Sequence, residues 1–222
     1  MAKATSAREQ RRLHHQDLSR TQLLDAAEEV FSRKGFHDTT LKEVAELAEF
    51  SVGSVYSFFA NKDDLFRQIF VRRGDEFMDG LAGVLGDESA SPTEVLHRLV
   101  DFEVGFFRQQ PNFGRLYLHY SSAIMLTTER DVDAYIADNY DEAMRLQSAL
   151  IERGQAAGEL RQGDPQVLAR LFSGIVSAYQ ALDPAVMSDE PGATERLPLA
   201  ELHEVVEAAF TAPTTKGNDR NR

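Results

Sequence analysis

From Ser19 to Leu85 the apolar residues recur at intervals of three and four, the mark of helices with one buried side. A first run groups Leu23, Leu24, Ala27 and Phe31. Ser19 with Gln22 forms its capping box, Arg33 and Lys34 suit its negative end, and Gly35 supplies a left-handed stop. Thr40 with Glu43 then opens a short helix carrying Leu41, Val44, Ala45 and Ala48 on one face. After the turn Glu49-Phe50, Ser51 caps another, with Val52, Val55, Tyr56 and Phe59 at the same spacing. Asn61 caps a third, with Asp63 and Asp64 where the helix dipole favours carboxylates. Phe66, Phe70, Phe77, Leu81 and Val84 extend this third helix from Lys62 to about Leu85, a rod of ~36 Å at 1.5 Å per residue. Gly86-Asp87-Glu88-Ser89 breaks it.

The remaining pattern is also helical. Ser91-Pro92-Thr93-Glu94 is a capping box with proline in the first turn, followed by Val95, Leu99, Phe102 and Phe106 on one stripe and ended by Pro111. Helices are expected at about 112–127 and 131–157. Asp164-Pro165 starts another, with Leu168, Leu171, Phe172, Ile175, Tyr179 and Leu182 on one side. Asp183 to Pro198 reads as a long polar loop, and Leu199, Leu202, Val206, Ala209 and Phe210 mark a last helix. Strand-like alternation is absent, so the expected fold is all-α, with about nine helices and no internal repeat.

The three helix signatures in 39–66 are too cramped to bury a core alone, which makes sense if the middle helix is held out for a partner. Two short helices joined by a tight turn form a helix-turn-helix, whose second helix enters the DNA major groove. From Arg20 to Phe70, through LLDAAEEVFSRKGFHDTTLKEVAELA and SVGSVYSFFANKDDLF, the chain resembles the N-terminal domain of the tetracycline-repressor (TetR) family of bacterial transcription regulators. Glu49 stands where that family usually has glycine. The resemblance implies that Thr40, Ser54, Tyr56 and Lys62 meet backbone phosphates, while Val52, Gly53 and Ser57 fall where bases are read. With Lys42 and Ser51 these make up the expected DNA-binding set. The competing reading is that Ser51 merely caps and Tyr56 packs within the head.

Charge is distributed unevenly. The net charge is −12, but residues 1–73 hold 12 Lys/Arg against 11 Asp/Glu, and residues 74–222 hold 12 against 25. A nearly neutral head with basic clusters can still face phosphate while an acidic body keeps the chain soluble. Lys3, Arg8, Arg11 and Arg12 suggest a disordered basic arm over 1–16 that tracks phosphates or is simply solvated. The expected organisation is then a DNA-binding domain at 17–73, an effector-binding and dimerisation domain at 74–212, and a flexible tail at 213–222.

In the body, Phe102, Phe106, Phe107, Phe113, Tyr117 and Tyr120 are either ordinary core or the lining of an effector pocket, to which Phe77, Leu81, Met125 and Tyr140 would contribute. The resembling family holds an inducer pocket there, and His119 and Tyr120 are candidate polar anchors. Leu168, Leu171, Phe172, Ile175, Tyr179, Leu202, Val206 and Phe210 are the expected dimer interface, with intramolecular packing as the rival. Dimerisation would set two recognition helices ~34–36 Å apart on a pseudo-palindromic operator.

Catalytic chemistry is not signalled. GxGxxG, GxxxxGK[ST], HExxH and GxSxG are all missing, the histidines are scattered, and zero cysteines exclude disulfides and thiolate sites. Asp131-x-Asp133 lacks the glycine of a calcium loop, and no cofactor or metal is expected. No apolar run approaches the ~18 residues of a membrane span, and no signal region opens the chain, so a cytoplasmic protein, nucleoid-associated when bound to operator, is expected. The reading is a homodimeric, ligand-responsive repressor whose partners are operator DNA, a small apolar effector and a second copy of itself. An all-α carrier of lipid or small molecules without sequence-specific DNA binding is the alternative, and a helical enzyme a third.

Overall fold

Ten helical segments, one of them a single turn, form the described part of the chain. They are α1 (Ala7–Asp38), α2 (Leu41–Leu47), α3 (Val52–Phe58), α4 (Lys62–Leu85), α5 (Pro92–Gln109), α6 (Pro111–Leu126), α7 (Ala134–Ala157), α8 (Pro165–Leu182), α9 (Pro184–Met187) and α10 (Leu199–Phe210). The computed structural model describes residues 6–126, 134–187 and 196–213, with 121–126 and Ala185 as backbone only. The expected acidic run at 131–133, the side chain of Met125, and 214–222 of the expected tail lie outside the described residues. No strand occurs among those described.

Helix α1 begins well before the expected Ser19 cap. Ser6 caps it by accepting from the Glu9 amide, and Ala, Arg, Glu and Gln then carry the helix forward. Residues 7–16 are therefore helical, not a disordered arm, although every one of them is exposed. Ser19 sits mid-helix, its hydroxyl donating to the His15 carbonyl. Gly35, at φ 77°, supplies the break expected of it.

The chain divides into two compact units, residues 1–73 with 115–128, and 74–114 with 129–222. The first is built on Leu23, Leu24, Ala27, Phe31, Val44, Ala45, Val55, Phe59, Leu65 and Ile69, all buried. Glu28 of α1, also buried, accepts from Arg73 Nε at 2.9 Å and Arg72 at 3.0 Å on α4. The end of α6 belongs to this unit and not, as expected for all of 74–212, to the body. The reason is aromatic: Tyr120 packs edge-on against Phe66 (5.1 Å) and Phe70 (6.2 Å) of α4.

The second unit packs α5, α7, α8 and α10 around Val95, Leu96, Leu99, Val100, Leu150, Ile151, Phe172, Val176, Val206 and Phe210. Both ends of α5 are fixed locally, by the Ser91–Glu94 capping box and by Pro111. Arg108 donates to buried Asp183 at 2.6 Å and to the Leu197 carbonyl at 2.8 Å, tying α5 to the chain beyond α8. Asp183 also heads α9, a helical turn where the sequence suggested only loop, because its carbonyl accepts from Val186 and Met187.

Candidate nucleic-acid interface and effector site

Helix α2 starts on a complete capping box. Thr40 Oγ1 accepts from the Glu43 amide and Glu43 returns to the Thr40 amide at 3.0 Å. Lys34, then the Thr40 amide, holds the Glu43 carboxyl down to about 2. The turn into α3 passes through Glu49 at φ 60°, the left-handed conformation that glycine adopts without strain. Ser51 then caps α3, accepting from the Ser54 amide at 3.0 Å and sharing a 2.8 Å bond with the Ser54 hydroxyl.

Only one residue of α3 is buried, Val55, at 0% exposure. The expected four-residue stripe therefore splits. Val55 and Phe59 point into the core, whereas Val52 (37%) and Tyr56 (58%) are exposed beside Gly53 and Ser57. A seven-residue helix anchored by one or two side chains leaves the rest free to face a partner. A Cβ built on Gly53 meets only Ser51 Oγ, at 3.8 Å, so the glycine is not demanded by the fold. Thr40 and Lys42 are exposed one helix earlier, Lys42 paired with Glu46 at 3.5 Å.

Lys62 departs from expectation. Its ammonium donates to the carbonyls of Phe36 (2.8 Å), Thr39 (3.0 Å) and His37 (3.2 Å) and lies 4.5 Å from the Phe36 ring centre. All three protons are used on carbonyls of the segment that follows the Gly35 break and leads into α2. Lys62 ties that segment to the start of α4 and does not stand free for a phosphate.

In the second unit, Phe77, Phe102, Phe106 and Phe113 are brought together as the sequence suggested, with Phe107 among them. Phe77 lies 5.3 Å from both Phe102 and Phe106, and Phe107 stacks on Phe113 at 6.0 Å. Leu81 is fully buried in the adjoining core. Tyr117 and Tyr120 fall instead in the first unit, and Tyr120 is spent on Phe66 and Phe70. His119 is exposed, with its ring edge-on to Tyr120 at 5.1 Å. Tyr140, on α7, is near Arg170 and Asp141 and makes no ring contact with the phenylalanines among the described residues. A separate open groove of about 370 Å³ on α7 and α8 is lined by Asp141, Arg145, Glu152 and Arg170 among others, a charged surface rather than an aromatic one.

What the sequence did not reveal is the polar interior of the second unit. Glu103 of α5 is 6% exposed and accepts from Gln147 Nε2 of α7 at 2.9 Å, and its backbone carbonyl accepts from Gln180 of α8 at 3.2 Å. Burial pushes the Glu103 carboxyl up to about 8. Sequence periodicity put Phe102 and Phe106 on the inner stripe of α5. The buried stripe runs instead through Leu96, Leu99, Val100, Glu103 and Phe107. A charged letter in a helix reads as solvated, so only the flanking Leu99 and Phe107 could have given Glu103 away.

The expected dimer residues are also redistributed. Leu168, Phe172, Leu202, Val206 and Phe210 belong to the chain's own core, which removes them from any surface that a second copy could reach. Tyr179 is half-buried, its hydroxyl bonded to Arg108 and the Leu197 carbonyl, and Ile175 packs at the core's edge. Leu171 alone of the eight is exposed. With it, Val167 and Leu182 of α8 and Val205 of α10 are large apolar side chains left in solvent.

The model described as bacterial regulatory proteins, tetR family, matches residues 23–69. An HTH-type transcriptional regulator of Bacillus subtilis (strain 168), YfiR, called uncharacterized, is 30% identical over 161 residues, 71% of this chain and 76% of its own length. The chain belongs to the TetR family. It is a transcription regulator by that membership, and TetR proteins of this kind are not enzymes. Two solved structures share the fold. The ketosteroid transcriptional regulator KstR2 of Mycobacterium tuberculosis has a TM-score of 0.69 at 19% identity, over 86% of this chain and 94% of its own. The fatty acid degradation regulator FadR from Bacillus halodurans has 0.69 at 18%, over 92% and 97%. No helix among the described residues is long and apolar enough to cross a membrane.

Proposed function

We propose that this TetR-family chain is a homodimeric, cytoplasmic repressor that grips a pseudo-palindromic operator through α3 and is released by a small, largely apolar effector. One observation carries the DNA part: within α3 only Val55 is buried, while Val52, Gly53, Tyr56 and Ser57 are exposed. Hydroxyls and helix N-terminal amides suit phosphate oxygens and base edges, and Val52 suits a thymine methyl. For dimerisation, Val167, Leu171 and Leu182 of α8 with Val205 of α10 offer the apolar surface a two-fold contact needs. The phenylalanines of α4, α5 and α6 offer the lining for an effector, and the fatty-acid and ketosteroid regulators that share this fold are named for apolar compounds.

Release is a shift between two separations of paired heads, coupled by ~1–3 kcal/mol, or roughly 5–150-fold in DNA affinity. Helix α4, which belongs to both units, is the lever. Enlarging Gly83 meets no atom within 4 Å, so the sensitive position is Gly80, where a Cβ would come 2.3 Å from the Phe102 ring.

The test starts from duplexes selected out of randomised DNA by the purified protein. Tyr56→Ala should lose at least tenfold in affinity for the selected duplex while leaving the dimer intact by sedimentation. Gly53→Ala should raise helix stability by ~0.5–1 kcal/mol and still weaken DNA binding. Wild-type protein that selects no sequence ends the proposal.

A further inference from the structure

Glu103 is anomalous in its setting. The second unit's core is built largely of Leu, Val and Phe from α5, α7, α8 and α10, and among the described residues the glutamate's carboxyl has a single hydrogen-bond partner, the Gln147 amide N–H. Gln147, itself 3% exposed, leaves its own Oε1 with no hydrogen-bond partner. Two buried acceptors from different helices thus stand together with one donor between them. A packed core gains nothing from this, since an unpaired buried acceptor costs stability that an apolar residue of the same shape would keep. Phe107 follows Glu103 by four residues on the same buried stripe of α5, and the Phe106 ring packs against it at 5.5 Å. Those rings, with Phe77, Phe102 and Phe113, are the cluster already assigned to the effector.

We propose that the effector is a protonated amine with an apolar body, its N–H groups donating to the Glu103 carboxylate and Gln147 Oε1 while the phenylalanines take the hydrocarbon. This rests on the ligand-responsive reading above and deepens it. A cation over aromatic faces, paired with a buried carboxylate, is favoured on both counts. The protonation balance is simple. Without ligand the carboxyl holds its proton at neutral pH; when the ammonium enters, that proton leaves to solvent and the new charge pair is neutral overall. Affinity for the amine should therefore rise about tenfold per pH unit from 6 to 7, where the proton is displaced, and level off near 8.

Calorimetry with 4-phenylbutylamine and decylamine, against 4-phenylbutanol and decanol, tests it on the full chain. Wild-type protein at pH 7.5 should bind each amine at least tenfold more tightly than its alcohol. Glu103→Gln, which imitates the protonated carboxyl and should fold normally by thermal melt, should bind amine and alcohol alike and lose the pH dependence. Equal binding by wild type, no binding of either amine, or an amine preference that survives Glu103→Gln overturns the inference. DNA binding by ligand-free protein, measured on the same preparation, separates this outcome from failure of the regulator reading. If the regulator reading is wrong, no operator is bound whatever the amines do. If only this inference is wrong, operator binding stands and Glu103 is irrelevant to ligand.

Discussion

Each unit buries a glutamate, and each treats it in the opposite way. In the first unit Glu28 meets two guanidinium groups, Arg72 and Arg73, so the charge of α1 is matched by charge from α4. In the second, Glu103 meets one amide and is held neutral by its surroundings. Matching charge fixes two helices against each other. Leaving charge unmatched stores a response that a proton or a cation can draw on. The region that must present α3 in one geometry has the first arrangement, and the region expected to change with ligand has the second.

The largest effect should come from breaking the matched site. Glu28→Gln removes the buried carboxylate and leaves Arg72 and Arg73 only the exposed Asp25 as counter-charge, which should destabilise the first unit by ~1.5–3 kcal/mol. Chemical denaturation, followed by a probe placed on α1, reads this directly; a loss below ~1 kcal/mol would mean the pair is solvated and the contrast between the units is false.

The unmatched site should show itself through pH. Glu103 has a raised carboxyl in the folded chain, so between about 4.5 and 8 the folded state binds a proton that the unfolded state has released. Stability then falls as pH rises through that window, by ~1.4 kcal/mol per unit from this group, and is flat above it. Wild type minus Glu103→Gln, in melting experiments from pH 5 to 9, isolates the slope. Parallel curves would show that the carboxyl is ionised throughout.

A smaller test concerns backbone rather than charge. Glu49 holds φ 60° in the turn between α2 and α3. Glu49→Gly should relieve that strain for a gain of ~0.5–1 kcal/mol without altering the exposed side of α3. A decrease in melting temperature would show that the turn is not strained.

Much of the head was legible because its signals are local. The capping box of Thr40 with Glu43, the Ser51 cap and the Gly35 break all act within three or four residues, and each is visible in the sequence itself. Even there, seven residues are too few for periodicity to separate Val52 and Tyr56, outside, from Val55 and Phe59, inside. The interior of the body was not legible, for a reason of distance. Arg108 meets Asp183 across 75 positions and Glu103 meets Gln147 across 44, and no spacing rule connects residues so far apart. Helix α8 failed differently. It is apolar on more than one side, so Leu168 and Phe172 turned inward while Leu171 and Val167 stayed out, and the pattern had no means of ranking the two faces.

The position of Lys62 has a last consequence, for ionic strength. Its ammonium is occupied by three carbonyls, α3 itself contains no lysine or arginine, and Lys42 is paired with Glu46. Few cations of the helix-turn-helix remain to displace counterions from a duplex, and the slope of affinity against salt scales with their number. On the mode of binding proposed above, contact would rest on neutral donors and shape, and the protein's hold on DNA should persist at salt concentrations that strip a more basic protein away.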